Sequence, residues 1–315
     1  MKDYRYLYGP VPSRRLGRSL GIDLVPHKIC SYDCVYCQIG RTTEKTLVRK
    51  EYVPTAAILE EVARFFKQNS EIDYISLTGS GEPTLHSGIG FLIKEIKAIT
   101  PIPVAVITNS SLLYEEEVRR DLLRADAVLP SLDGVSQEVF DRVNRPLSGL
   151  SSRKVTKGVM DFRSVYSGQI WLEILFCKGI NDGKEELLKM KEAINQIQPD
   201  LIHLNTVVRP PSEKWTVPLG QKELEQLRSF FGRNASIISE FDRHPSTISE
   251  RDAKREIMAI LKRRPLSLSD LSDGLGIPEG ELDRSLEALI QEGAIRVRVF
   301  GESVFYEVKQ FSDLK

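Results

Sequence analysis

Ser19-Leu-Gly-Ile-Asp-Leu-Val25, then Pro26-His27-Lys28-Ile29, then Cys30-Ser-Tyr-Asp-Cys34-Val-Tyr-Cys37, is the stretch that decides the fold. Its first part is an apolar run of strand type, and its last part is a loop carrying three thiols. The same unit, a strand running straight into a polar or glycine-rich segment, recurs downstream. Tyr74–Thr78, Val104–Thr108, Ala127–Ser131, Ile170–Phe176 and Leu201–Val207 read as five further strands. Amphipathic stretches at Ala56–Lys67, Ile89–Ile99, Glu115–Leu123, Arg153–Val165 and Lys184–Ile197 read as helices between them. Strand–helix alternation of this kind predicts a parallel sheet with helices packed outside it. Chemistry in such sheets gathers at the carboxyl ends of the strands, so the segments after each strand hold the candidate residues.

The chain has 315 residues, which suggests about two domains. Its 44 basic and 44 acidic residues cancel, so bulk charge favours no polyanionic partner. The first residues lack a signal-peptide run, and no stretch reaches the ~18 apolar residues of a membrane span. A cytoplasmic location is expected, where thiols stay reduced and cysteines serve as ligands rather than staples. The core is expected over residues 1–241, a polar linker over 242–250 and a second domain over 251–315. There Arg251–Arg263, Leu268–Leu275 and Pro278–Glu292 read as helices, with Gly276 making a turn. Ile295–Phe300 and Ser303–Val308 read as a hairpin around Gly301-Glu302, which completes a winged helix.

C-x3-C-x2-C places three thiolates on one loop, and thiolates bind soft iron–sulfur centres. Three ligands on a four-iron cubane leave one iron open. A zinc site completed by His27 or Cys177 is the alternative, although the separated C-x2-C pairs usual for zinc are absent. With Tyr36 just before the last cysteine, the segment resembles the signature of the radical S-adenosylmethionine (SAM) superfamily. The resemblance covers about residues 8–240 and implies a partial (β/α)6 TIM-like barrel. It further implies a [4Fe–4S] cluster on Cys30, Cys34 and Cys37, with SAM chelating the open iron. An electron donor such as flavodoxin or ferredoxin, and a 5′-deoxyadenosyl radical that abstracts hydrogen, follow from the same resemblance.

The loop after the second strand, Thr78-Gly79-Ser80-Gly81-Glu82-Pro83, is similar to the superfamily's GGE-type element, with a serine between the glycines. Glycine permits positive φ and close backbone approach, which a cradle for the SAM ammonium requires. A plain strand–turn–helix starting at Pro83 is the bland reading. Asn109, Ser131 and Asp133 end the third and fourth strands, as caps or as groups reaching the SAM carboxylate and ribose. Glu173 lies inside the fifth strand, where a carboxylate must be paired or turned to a polar lumen. Ribose contact, or pairing with Arg142 or Arg145, would satisfy it. Cys177 reads as a buried small hydrophobe, or as a catalytic thiol donating a hydrogen atom. By the same resemblance, Asn205 at the sixth strand's end faces adenine and Tyr36 lies beside the cofactors. The proline-rich loop ending in Trp215 is expected to close over the mouth and exclude water.

Tyr8–Arg18 and Gln38–Arg41 resemble the branch related to wyosine (tRNA imidazoguanosine) synthases, although no cysteine precedes Cys30 to hold a second cluster. Arg14, Arg15, Arg18, Arg41 and Arg209 are expected to converge near the mouth on phosphates or carboxylates. RNA is the substrate this segment favours, against a peptide or small metabolite. Glu279, Glu281, Asp283, Glu287 and Glu292 crowd the third helix of the winged domain, which argues against DNA there. A protein contact or dimerisation is the expected role of that domain. A redox-sensing winged-helix regulator is the reading from another class.

Overall fold

The computed structural model describes residues 4–67, 72–238, 250–262, 264–275, 277–301 and 303–309. The chain opens with β1 (Leu7–Ser13) and β2 (Gly17–Asp23), followed by the short β3 (Ile29–Cys30) and β4 (Glu44–Lys45). Next come α1 (Thr55–Phe65), β5 (Tyr74–Thr78), α2 (Ile89–Ile99), β6 (Val104–Thr108), α3 (Glu116–Leu122) and β7 (Ala127–Pro130). Helices α4 (Gln137–Val143) and α5 (Ser152–Val165) lead to β8 (Gln169–Phe176), α6 (Lys184–Ile197), β9 (Leu201–Thr206), α7 (Gln221–Phe231) and β10 (Ala235–Ile237). All six expected strands form, the first of them two residues earlier than read, and so do all five expected helices. The antiparallel β1, the parallel β10 and helices α4 and α7 were not read from the sequence.

The large sheet has the order β1-β2-β5-β6-β7-β8-β9-β10, with every neighbouring pair after β1-β2 parallel. This order leaves two edges, so the sheet does not close on itself. Period-two alternation splits it into two chemically different faces. Ile75, Leu77, Val104, Val106, Val128, Ile170, Leu172 and Ile174 join Leu92, Ile93, Val159, Phe162 and Met190 in the main core under the helices. Each such fully buried side chain contributes about 1.5–3 kcal/mol. The opposite face carries small or polar groups, Ser19, Ser76, Ala105, Ala127, Glu173, His203 and Asn205, alongside a smaller apolar cluster of Tyr74, Ile107, Leu129 and Trp171. The Tyr74 and Trp171 ring centroids approach to 5.8 Å. β5 and β8 lie three strand spacings apart, about 14 Å in a flat sheet, so the sheet curls around this polar face.

The second domain consists of α8 (Glu250–Leu261), β11 (Leu266–Ser267), α9 (Leu268–Leu275), α10 (Glu279–Gln291), β12 (Ile295–Phe300) and β13 (Ser303–Val308). Its sheet runs β11-β13-β12, the arrangement of a winged helix. Helix α8 begins at Glu250, inside the expected linker; the rest of that linker, Gly276 and Glu302 lie outside the described residues. The domain does not hang free. Val11 of edge strand β1 is buried with Ile257, Leu271 and Leu275, and Phe300 at the wing tip packs against the cluster of Val35, Val143, Cys177, Ile180 and Val207. Thus the winged helix reaches from one edge of the curled sheet to the segment beyond β9. Among the described residues, no helix is long and apolar enough to cross a membrane.

Candidate functional site: the cysteine loop and the concave face

The cysteine loop leaves β2 through Pro26 and is folded by its own bonds. Asp33 accepts from the Thr42 amide at 2.7 Å, Cys37 N–H donates to Cys34 O at 3.1 Å, and Val35 N–H donates to Val143 O at 3.0 Å. Each thiol faces its own nitrogen donor. Asn109 Nδ2 donates to Cys30 Sγ at 3.4 Å, Asn144 Nδ2 to Cys34 Sγ at 3.4 Å, and Lys28 Nζ to Cys37 Sγ at 3.1 Å. Burial works against the Lys28 ammonium, yet the surrounding thiolates hold its proton above the usual lysine value. Burial pushes the Cys30 thiol up to about 11, and Glu82 adds to the shift. Burial and Asp133 push Cys34 up as well. Such sulfurs ionise when a metal centre takes the charge.

Among the described residues, no three His, Cys, Asp or Glu side chains gather as ligands of one ion. A cubane instead spreads three thiolates over three iron corners, and the donor set of three sulfurs with three N–H partners fits it. Cys177 is fully buried beside Val35, Val143 and Val207, and burial raises its thiol far above the usual range. It packs as an apolar group.

The loop after β5 lies backbone-to-backbone on the segment leading into Cys30. Ser80 O accepts from Lys28 N–H at 2.6 Å, and Glu82 N–H donates to Ile29 O at 3.1 Å. A Cβ at Gly81 would sit 1.8 Å from Ile29 O, and one at Gly79 would sit 2.8 Å from Asp23 Oδ1. Neither glycine has positive φ, so the expectation of left-handed backbone is corrected: close approach alone demands them. Ser80 is held by Asp23 through its amide at 2.6 Å and its hydroxyl at 3.0 Å. The Glu82 carboxylate is consumed inside the protein, by Thr84, by the Thr108 hydroxyl at 2.6 Å and by the Asn109 amide at 2.8 Å. It ties β5 to β6 and thereby aims Asn109 at Cys30.

Asp133 has a similar positioning task. It accepts from Tyr36 Oη, from Asn144 Nδ2 at 2.8 Å and from Leu175 N–H at 2.9 Å. Burial pushes its carboxyl up to about 6. Ser131 forms a bridge to Glu173 at the end of β7, and its carbonyl accepts from Ser110 Oγ at 2.8 Å. Glu173 pairs with Arg15 and accepts from Asn205 Nδ2 at 2.9 Å. The expected partners Arg142 and Arg145 are therefore wrong. Arg145 is taken by Glu213 at 2.7 Å, because the turn after α4 carries it towards the proline loop and away from β8. Deeper on the same face, Trp171 Nε1 and His203 Nδ1 are buried with no hydrogen-bond partner among the described residues.

The proline loop is fastened to the cysteine loop. Ser212 Oγ donates to Cys34 O and Val35 O, each at 2.9 Å, and Glu213 bridges Arg145 and Arg41, the latter at 2.8 Å. Trp215, expected to close the mouth, is instead 55% exposed. The expected arginine convergence holds for Arg14, Arg15 and Arg209, which share one neighbourhood with Glu173 and Asp270. It fails for Arg18, whose backbone meets Asp73 at the start of β2, and for Arg41, which is spent on Glu213. Lys28, Asn144, Glu213 and Phe300 were not read from the sequence. For Lys28 a signal existed, a cation two residues before the first cysteine.

The sequence profile of the radical SAM superfamily matches residues 24–190, and that of the bacterial regulatory protein, arsR family, matches residues 251–297. A protein named GTPase Obg from Brachyspira hyodysenteriae is 37% identical over 96% of this chain, which spans only 45% of that protein's length. A UPF0026 protein of Methanocaldococcus jannaschii is 35% identical over 95% of this chain and 94% of its own. A radical SAM methyltransferase from Sphaerobacter thermophilus shares the fold, with a TM-score of 0.51 at 14% identity over 70% of this chain and 66% of its own. The chain belongs to the radical SAM superfamily and, within it, to the UPF0026 proteins. The superfamily is one that uses a [4Fe–4S] cluster and SAM, and its members in general need an electron donor.

Proposed function

We propose that this chain cleaves SAM reductively and turns the resulting radical on an RNA substrate. The observation that carries the reading is the loop on which Cys30, Cys34 and Cys37 each face a separate N–H donor, at the end of a polar concave face. When bound, the cluster and SAM supply a one-electron C–S cleavage, giving methionine and a 5′-deoxyadenosyl radical that becomes 5′-deoxyadenosine on taking a hydrogen atom. Flavodoxin or ferredoxin is the class of donor for that electron. Lys28, Asn109 and Asn144 donate to the ligating sulfurs and stabilise their charge. Gly79, Ser80 and Gly81 bring backbone close to the loop, with the Ser80 carbonyl committed to Lys28 N–H and those of Gly79 and Gly81 left to meet an ammonium. Ser131, Glu173 and Asn205 line the inner face where a ribose and adenine would lie, while Glu82, Tyr36 and Asp133 hold the frame. Cys177 is assigned to packing.

The curl of the open sheet supports a partial (β/α)6 barrel over residues 1–241, with 242–250 as linker and 251–315 as the winged domain. RNA is favoured by the arginines of the Tyr8–Arg18 segment, the part that resembles the wyosine-related branch. The arsR-family match favours a regulator, but the wing tip is docked on the core and the exposed face of α10 carries Glu279, Glu281, Asp283 and Glu287. Phosphates are repelled by such a face. Anaerobic reconstitution followed by reduction with SAM present is the test. Wild type should form 5′-deoxyadenosine and Cys34→Ala none; a wild type that holds four irons but forms none sinks the reading. Retention on RNA that falls steeply with salt separates an RNA substrate from a peptide or metabolite.

A further inference from the structure

Two cavities, of about 910 and 850 Å³, lie along the seam between the curled sheet and the winged helix. The first is lined by Arg14, Asn205 and Arg209 from the core and by Ser269 and Asp270 from α9. The second runs from Gln38 and Gly40, just past the cysteines, to Arg264 and Arg296, with Lys214 and Lys262 also on its wall. Between them three guanidinium groups are crowded together. Burial lowers Arg264, and repulsion from Arg209 and Arg14 lowers it further. Burial likewise lowers Arg14, with Arg209 and Arg15 adding to the effect. Arginine does not give up its proton in a protein, so the three guanidinium groups stay charged.

The nearby carboxylates offset this charge only in part. Asp270 sits 3.3 Å from Arg209, and Glu173 is committed to Arg15 and Asn205. Asp270 also attracts Arg14 and Arg264, but burial and the neighbouring guanidinium groups outweigh it. A second observation is independent of charge. Arg209 is 5% exposed, and its Nε is buried with no hydrogen-bond partner. A buried donor left unpaired is costly, and an acceptor arriving with a ligand removes that cost. Phosphate oxygens accept from several guanidinium groups at once.

We propose that Arg14, Arg209 and Arg264 form a binding site for backbone phosphates of a single nucleic-acid strand, with the winged helix serving as one wall. The cationic lining of the second cavity continues from this seam to the cysteine loop, so a strand held at the seam places a following nucleotide near the cluster. The winged domain thus acts through its wing and the end of α8, not through α10. The substrate class deepens the preceding reading, but binding needs neither electron nor SAM. A chain that binds strands without forming 5′-deoxyadenosine would therefore sink that reading and leave this one standing.

The experiment uses the full chain carrying its cluster, without reductant. A short unstructured oligoribonucleotide, its deoxy counterpart and inorganic pyrophosphate are titrated at several salt concentrations. Arg14→Gln and Arg264→Gln should each weaken binding of the strand by roughly tenfold and reduce the salt slope by about one. Arg264→Lys should keep the slope while losing affinity, because charge remains and the fork is lost. Arg124→Gln, exposed far from the seam, should change nothing. Equal binding of both oligonucleotides assigns recognition to phosphates, whereas preference for the ribo strand adds the 2′-hydroxyl. Binding of pyrophosphate but no strand, or strand binding with unchanged slope in both variants, overturns the proposal.

Discussion

His203 and Glu173 sit opposite each other on β9 and β8, inside a face that admits few charges. Burial lowers His203 to about 4, against the pull of Glu173 and with a push from Arg15. The unfolded chain takes up the same proton near pH 6.5, so below that value the unfolded state binds a proton the native state refuses. Stability contributed by the neutral ring is complete above pH 6.5 and is lost as the pH falls towards 4. The loss amounts to about 3 kcal/mol across this window. Urea denaturation at several pH values should show it, and His203→Gln should flatten the acid limb by that amount. An unchanged limb would assign acid sensitivity to other groups. At this scale the sequence flagged Glu173 as a carboxylate needing a partner. It could not show that the partner is Arg15, 158 positions away in the chain, since only the curl of the sheet brings them together.

At the scale of elements, the loop after β5 and the segment before Cys30 form one unit. The position of the first cysteine depends on how closely their backbones lie. Gly81→Ala puts a methyl where Ile29 O already stands, and backbone has little room to yield. The expected cost is about 3 kcal/mol of stability, from forced displacement of packed structure. Iron retention after reconstitution should fall with it, whereas Gly183→Ala, whose added carbon meets nothing within 4 Å, should retain iron normally. Equal iron loading in Gly81→Ala would show that the cysteine loop holds its shape alone. Glycine spacing was legible in the sequence, and its reason was partly misread. Close approach is a property of two segments, while φ is a property of one, and only the former is at work here.

For the whole molecule, the winged helix is a covering part of the catalytic body. Phe300 anchors its wing on the apolar cluster around Val35 and Cys177, and Arg298 donates to Pro211 O at 3.2 Å. Phe300→Asp should undock the wing, because a charge in that apolar contact is costly, without touching the domain's own core of Ile257, Leu271 and Leu286. Hydrogen exchange should then rise in residues 210–216 and in β12, with α9 and α10 still protected. If protection in residues 210–216 is unchanged, the proline loop is held by Glu213 and Ser212 alone.

The order of strands and helices, the three-thiol loop and the winged-helix hairpin were set by local pattern: period two, period 3.6, cysteine spacing and turn residues. These are properties of neighbours in the chain, so the sequence alone determined them, and with them the superfamily. Which polar residues face ligands and which hold the frame was decided by the fold. Glu82, Asp133 and Tyr36 look like ligand-binding residues in the sequence, but the curled sheet surrounds them with donors and acceptors from other strands. Buried polar groups must be paired, and the pairing is made by residues brought together across the sheet. The docking of the winged domain, and the crowded arginines at its seam, arise for the same reason.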